Sequence, residues 1–313
     1  MNRFLAPLRA LTSWYFLAPS AIVIGIVIGA FVLVNTFPTK HNIGVIDIPY
    51  TVITDDSAYV ITQYLDYARQ DDSIKAVVIR IASPGGGAAS SERLYIETSN
   101  LRAEKPVVMV MNGLVASGGY MMAMGVNHTF AQTSSLVGNV GVITIAGPLI
   151  PRPLPESIVV TGPHKLYGSS RRDWIGLADE LKDAFAQMVI RERGDKLRVT
   201  KAELTEGRLY AGVDAARLGI VDEIGGDSDA MEKAAELAGI SSYGTVDVNA
   251  EVLRASIERT RRIFRSELDI EPTGEELLPA LLIDNIEREN PLPDFPLDIQ
   301  KPNIYYLYAG NDY

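Results

Sequence analysis

The chain has 313 residues, of which 47% are hydrophobic, and its formal net charge is −10 at pH 7. This acidic balance argues against a nucleic-acid partner, because proteins that bind nucleic acids carry clustered Lys and Arg. The chain has no cysteine, which excludes disulfides, thiolate nucleophiles and cysteine-ligated zinc. It has only three histidines, so a histidine-rich metal site is not expected.

The N-terminal region predicts a membrane anchor. Residues 10–39 carry no charge, and they include the apolar run WYFLAPSAIVIGIVIGAFVLV. About 20 such residues are long enough to cross a hydrocarbon core of about 30 Å. Arg3 and Arg9 precede the run, so the positive-inside bias places the N-terminus in the cytoplasm and residues 40–313 outside. A cleaved signal peptide is the alternative, although such peptides usually have a shorter apolar core and a distinct cleavage site.

Beyond this segment, predicted strands and helices alternate along the chain. The predicted strands cover residues 42–48, 74–82, 106–113, 128–132, 140–147 and 156–162. The predicted helices cover residues 55–70, 91–104, 173–194 and 254–269, and residues 200–226 are predicted to form a helix, a turn, a second helix and a short edge strand. Such alternation indicates an α/β fold with largely parallel strand pairing.

These patterns predict three segments. Residues 1–39 form a cytoplasmic stub and an anchor, residues 40–250 form the globular domain, and residues 251–313 form an acidic, proline-rich extension. The extension ends in the apolar peptide NIYYLYAG, residues 303–310, which is typical of a strand. Two placements stay open for this peptide: a groove or sheet edge, where extended peptides add as strands, and an interface between subunits.

Two glycine-rich segments follow predicted strands, SPGGG at residues 83–87 and ASGGY at residues 116–120. Ligands bind at the carboxyl ends of parallel strands, and glycine-rich turns there present backbone N–H groups. A tetrahedral acyl intermediate needs two such donors, and one is commonly the N–H of the residue after the nucleophile. Ser117 is therefore either a nucleophile followed by the donor Gly118 or an ordinary helix N-cap. Each glycine segment is also compatible with a plain structural turn.

A serine nucleophile needs a base, and three side chains are candidates for that role. His128 falls in a predicted strand, where a packing role is the simpler interpretation, and His164 stands beside Lys165 in the segment TGPHKLYGSS. A lysine acts as a base only when burial lowers its pKa from about 10.4 towards neutrality. From the residues alone, a Ser–His arrangement, a Ser–Lys dyad and a solvated Lys165 without a role all stay open.

Five motifs occur in order along residues 42–240: IRIASPGGG, VMNGLVASGGYMMA, SSLVGNVGVI, VTGPHKLYGSS and LTEGRLYAGVDAARLGIVDEIGG. Together they resemble the successive motifs of the signal peptide peptidase A proteases of family S49, which use a Ser–Lys dyad. The chain length resembles the short, single-repeat form of that family, which has one membrane anchor. The resemblance implies a ClpP/crotonase-like α/β fold, a spiral of strand–strand–helix units.

The resemblance also implies roles for individual residues. It places the nucleophile at Ser117, the general base at Lys165 and the oxyanion donors at the N–H groups of Gly86 and Gly118. It implies endoproteolysis through an acyl-enzyme, without a metal or nucleotide cofactor, on remnant signal peptides or other membrane-associated polypeptides bound in extended form. It further implies a homo-oligomer, commonly an octamer, whose active sites take the serine and the lysine from neighbouring subunits.

Two positions depart from the family pattern. Asn139 in GNVGV replaces a serine whose hydroxyl helps to orient the lysine, and Leu166 replaces an aspartate after the lysine. An Asn carbonyl accepts a hydrogen bond from an amine, so we expect Asn139 to keep the orienting role. Loss of the carboxylate at position 166 favours a neutral lysine.

Three other functions stay open beside a signal peptide peptidase. One is a stomatin-partnered membrane protease of the same chemistry, which the absence of further C-terminal spans disfavours. The others are an inactive scaffold of the same fold and a crotonase-type acyl-CoA enzyme.

Overall fold

The computed structural model describes residues 14–36, 41–144, 161–162, 164, 170–267 and 304–307. The chain divides into two compact units, Met1–His41 and Asn42–Tyr313. In the first unit, helix α1 (Trp14–Thr36) covers the apolar run, and its side chains are described over residues 18–29. Within the described part of the chain, no helix combines the length and the apolarity that crossing a membrane requires. The predicted transmembrane helix is therefore not found among these residues.

The second unit alternates between strands and helices. Its strands are β1 (His41–Ile48), β2 (Val52–Ile53), β3 (Ile74–Ser83), β4 (Gly85–Gly87), β5 (Val107–Ala116), β6 (His128–Ala131), β7 (Leu136–Gly138), β8 (Ile143–Thr144), β9 (Leu209–Ala211), β10 (Glu223–Ile224), β11 (Tyr243–Asp247) and β12 (Ile304–Leu307). Its helices are α2 (Asp55–Gln70), α3 (Ala88–Glu104), α4 (Gly118–Ala123), α5 (Arg171–Arg193), α6 (Lys201–Leu204), α7 (Gly212–Arg217), α8 (Asp227–Ala238) and α9 (Val248–Glu267).

The main sheet has the strand order β10-β6-β5-β3-β1-β11. The pairs β1–β3, β3–β5, β5–β6 and β6–β10 are all parallel. Strand β5 pairs with β6 along its first half and with β7 along its second half, and β7 pairs antiparallel with β9. The predicted α/β fold with largely parallel pairing is confirmed, whereas the ClpP/crotonase-like spiral stays a prediction.

Both faces of the main sheet are buried, which explains why its central strands are almost continuously apolar. Alternate residues of β3 and β5 point to opposite faces. One face, with Ile79 and Met109, packs in the larger core that includes helix α2. The other, with Val78 and Val110, packs against alanines of helix α8. Burying one such aliphatic side chain contributes about 1.5–3 kcal/mol to the free energy of folding, so the burial of these central strands stabilises the sheet.

A second sheet has the order β2-β4-β12-β8. It corrects the interpretation of residues 83–87 as a plain structural turn, because Gly85–Gly87 form a strand that pairs parallel with β2 and antiparallel with β12. Helix α3 consequently begins at Ala88, three residues earlier than predicted. Strand β8 covers two residues of the predicted strand 140–147. The predicted strand 156–162 lies outside the described residues, except for residues 161 and 162.

A buried ion pair lies beneath the loop that follows helix α7. The guanidinium of Arg193 donates to both carboxylate oxygens of Asp222, at 2.9 and 3.1 Å, and both side chains are about 5% exposed. Lys196 and Thr129 also donate to this carboxylate. Burial opposes ionisation of Asp222, but its hydrogen bonds and the charge of Arg193 outweigh that effect and hold the pKa of the carboxyl well below its usual range.

We predict that Asp222→Asn lowers the free energy of unfolding at pH 7 by about 3–5 kcal/mol, because the buried guanidinium loses its counter-charge. The difference from the wild type shrinks as the pH falls below about 4, near the unfolded-state pKa of aspartate. A carboxyl with a lowered folded-state pKa stabilises the fold above its unfolded-state pKa, and this contribution is lost as the pH falls. Urea unfolding at pH 7 and pH 3 measures both effects.

Asp214→Asn is the matched control, because Asp214 forms an exposed ion pair with Arg217. Its loss should cost less than about 0.5 kcal/mol. Equal losses in the two variants would contradict a special role for the buried pair.

Candidate active site

Ser117 lies at the turn between strand β5 and helix α4, and it is 1% exposed. Its N–H donates to the carbonyl of Gly138 at 2.8 Å, and its carbonyl accepts the N–H of Met121 at 2.9 Å. Its side chain makes no capping hydrogen bond to helix α4. Ser117 therefore occupies the N-cap position of helix α4, but its hydroxyl does not supply the side-chain hydrogen bond of an ordinary N-cap.

The backbone of Ser117 is strained. Its φ is 54° and its ψ is −117°, a conformation that glycine adopts freely and other residues adopt at a cost. Gly119, two residues further on, is constrained sterically, since a Cβ at this position would lie 2.9 Å from the Cβ of Ser83. The sequence SGG therefore meets two different demands at one turn: a side chain at position 117 and close backbone approach at position 119.

A buried tyrosine also anchors helix α4 to the loop that contains Ile220. Tyr120 is fully buried, and its hydroxyl donates to the carbonyl of Ile220 at 2.8 Å. Burial raises the pKa of this phenol, which keeps it neutral and able to donate. Ile220 lies in the loop that the ion pair of Arg193 and Asp222 holds. Helix α4, which begins at the turn of Ser117, is thus held by hydrogen bonds to a buried loop.

Strand β4 brings the second predicted oxyanion donor to this turn. Cα atoms of β4 and helix α4 come within 8 Å of each other, so Gly86 and Gly118 belong to neighbouring elements. A Cβ on Gly86 would overlap the carbonyl oxygen of Ile53 in strand β2. Glycine is required at this position because the two backbones lie in direct contact.

The C-terminal strand β12 occupies a slot between β4 and β8. Tyr306 pairs with Gly86, and Tyr305 pairs with Gly87 on one side and Ile143 on the other, antiparallel in both cases. Cα atoms of β12 also come within 8 Å of helix α4. The slot therefore holds an extended peptide along the same glycine strand that presents Gly86.

The three candidate bases have different outcomes. Lys165 lies outside the described residues. His128 pairs with Val108 near the start of strand β5, whereas Ser117 follows its end, nine residues further on, which is roughly 30 Å of extended strand at about 3.3 Å per residue. The His128 ring contacts that of Phe130 in a tilted arrangement, with ring centroids 4.7 Å apart, and burial lowers the pKa of His128. It packs, as expected, and is too distant to act on Ser117. His164 is exposed.

Asn139 follows strand β7 directly and so lies beside the carbonyl of Gly138 that holds Ser117. Its φ is 57°, and its side-chain amide donates to the carbonyl of Gly207 at 2.6 Å. With its nitrogen on Gly207, the carbonyl oxygen is the end of the amide that can accept a bond from an amine. This is the atom that the predicted lysine-orienting role requires.

Ser83 and Gly138 contribute to this region, although neither was singled out from the sequence. Gly138 has a φ of 103° and accepts the N–H of Ser117. Ser83 is fully buried and contacts the turn at Ser117. A signal for Ser83 is present in the chain, since it is a polar residue at the end of a mostly apolar strand.

Comparison with known proteins gives consistent matches. The sequence model of peptidase family S49 matches residues 99–149 and 157–241. A protein of Methanocaldococcus jannaschii, provisionally named as a protease, is 30% identical over 221 residues, which cover 67% of this chain and 68% of that protein. Protease 4 of Haemophilus influenzae is 30% identical over 64% of this chain and 35% of its own length. The chloroplastic serine protease SPPA of Arabidopsis thaliana is 32% identical over 60% and 30%, respectively.

We predict that Ser117→Gly is more stable than Ser117→Ala by about 1 kcal/mol. Glycine relieves a strain of about 1–3 kcal/mol and loses about 0.5–1 kcal/mol through backbone entropy, whereas alanine keeps the strain. Thermal or urea unfolding of the two variants measures the difference. Ser135, which is also fully buried but has no positive φ, is the control. There glycine should be the less stable substitution, and the same order at position 117 would contradict the strain.

Proposed function

The chain belongs to peptidase family S49, and from this premise we propose that it is a serine endopeptidase with Ser117 as nucleophile and Lys165 as general base. The observation that carries the proposal is the slot beside the strained turn, where an extended strand pairs with the glycine strand β4. A protease must hold a polypeptide in extended form next to its nucleophile, and strand addition to a free edge is a common way to do so.

The proposed reaction follows acyl transfer. Neutral Lys165 takes the proton of the Ser117 hydroxyl as the oxygen attacks the carbonyl carbon of the scissile bond. The N–H groups of Gly86 and Gly118 stabilise the oxyanion. The C–N bond then breaks, and the lysine returns its proton to the leaving amine. Water, deprotonated by the same lysine, then attacks the acyl carbon; the bond to the Ser117 oxygen breaks, the lysine returns the proton to that oxygen, and the second product leaves. Asn139 orients the lysine through its side-chain carbonyl.

The alternatives account less well for these features. A crotonase-type acyl-CoA enzyme needs an oxyanion hole, but it has no use for a slot that binds peptide by strand pairing. An inactive scaffold has no use for a strained serine. Strain at a non-glycine residue persists where the surroundings impose it, and such residues cluster at active sites.

The proposal extends to substrate, location and assembly. We propose remnant signal peptides or other membrane-associated polypeptides as substrates, with a stomatin-partnered protease of the same chemistry as the alternative. The apolar run and the preceding arginines support a single membrane anchor with the catalytic domain on the extracytoplasmic side. The likeness to family S49 supports a ClpP/crotonase-like spiral and a homo-oligomer, such as an octamer, in which a neighbouring subunit supplies Lys165.

We predict that Ser117→Ala and Lys165→Ala each lower kcat on a peptide substrate by at least about 10³-fold, because either change removes nucleophile activation. The assay uses the assembled full-length protein, and a fluorophosphonate probe should label the wild type and not Ser117→Ala. Lys182→Ala is the matched control, since this lysine is paired with Asp179 on an exposed helix face. Wild-type activity in either dyad variant would contradict the dyad.

We also predict that disrupting strand β12 raises apparent substrate affinity. An occupant that fills the slot about 90% of the time weakens apparent substrate binding about tenfold. Deleting residues 303–313, or Tyr306→Pro, which removes a strand N–H, should therefore lower KM with little change in kcat. Asn311→Pro, four residues beyond the end of β12, is the control. Unchanged kinetics in both disrupted variants would contradict competition between β12 and substrate.

A further inference from the structure

We propose that Ser83 is a positioning residue that sets the separation between the two oxyanion donors; this inference rests on the proposed function. Ser83 is the last residue of β3 and is fully buried. Its hydroxyl donates to the carbonyl of Thr51 at 2.6 Å and accepts the N–H of Gly85 at 3.1 Å. One hydroxyl therefore fixes both the segment that leads into β2 and the first residue of β4.

The other side of Ser83 contacts the nucleophile turn. A Cβ on Gly119 would meet the Cβ of Ser83 at 2.9 Å and its carbonyl oxygen at 3.0 Å. The register of β3 against β5 shifts between Ile81 and Ser83, and the shift pairs Ser83 with Val115. Ser83 is consequently the residue through which the turn at Ser117 and the start of β4 are held against each other.

This position matters because Gly86 and Gly118 are each one residue away from a group that Ser83 contacts, Gly85 and Gly119 respectively. The N–H groups of an oxyanion hole act only when they are aimed at the developing charge, and loss of one donor costs about 10²–10³ in kcat. Without the Ser83 hydroxyl, the Thr51 carbonyl and the Gly85 N–H each lose a hydrogen-bond partner at a largely buried site, which is unfavourable enough to displace β4 or admit water.

The test compares Ser83→Ala with Ser135→Ala in the full-length protein. Ser135 is a matched control, because it is also fully buried and its hydroxyl donates to a strand carbonyl, that of Met111, at 2.8 Å. We expect Ser83→Ala to lower kcat at least about tenfold with KM within about twofold, since a displaced donor weakens transition-state binding alone. The affinity for a peptide aldehyde, which forms a tetrahedral adduct, should fall in parallel. Ser135→Ala should change neither.

Two further measurements keep the outcomes distinct. Ser83→Cys retains a weak hydrogen-bonding group and should give an intermediate kcat, even where Ser83→Ala folds poorly. Amide hydrogen exchange at Gly85–Gly87 should be roughly tenfold faster in Ser83→Ala than in Ser135→Ala, as expected when a buried donor loses a hydrogen-bond partner. This exchange does not depend on catalysis, so it tests positioning even if Ser117→Ala proves as active as the wild type and the proposed function fails. An unchanged kcat, or equal exchange in the two variants, would overturn the inference.

Discussion

Close backbone packing at the carboxyl end of β3 is the constraint on which the proposed site depends. Gly119 lies against Ser83, and Gly86 lies against the carbonyl of Ile53, at separations that leave no room for a side chain. This packing brings the turn at Ser117 and the glycine strand β4 together as neighbouring elements. It also explains why Ser117 keeps a strained backbone, since the surrounding strands leave the turn no relaxed alternative.

The same packing creates an edge that can bind peptide. Strand β4 pairs with β2 on one side and leaves its other side to β12. A strand of three glycines has no side chains to direct recognition, so pairing there depends on main-chain hydrogen bonds and tolerates varied sequences. Such an edge suits the proposed enzyme, which would act on many polypeptides. Strand β12 of the protein itself pairs with β4 through the same main-chain hydrogen bonds.

Much of this arrangement was predictable from the sequence, and the exceptions have physical reasons. Helix α2 matches its predicted bounds because its amphipathic pattern begins at a Thr54 capping box. Strand β4 was missed because glycine disfavours strands, so only pairing with β2 and the distant β12 defines it. The pair of Arg193 and Asp222 was missed because charged residues on an amphipathic helix normally face solvent, and its burial depends on tertiary packing.

The most direct test is a crystal structure of the full-length assembly after reaction with a peptide aldehyde. The account predicts a covalent bond from the Ser117 Oγ to the aldehyde carbon and hydrogen bonds from Gly86 and Gly118 to the adduct oxygen. It also predicts that the peptide pairs with β4 in place of residues 304–307, and that the Nζ of Lys165, from the same or a neighbouring subunit, lies within hydrogen-bond distance of the Ser117 Oγ. An adduct on another residue, or a peptide bound away from β4, would contradict it.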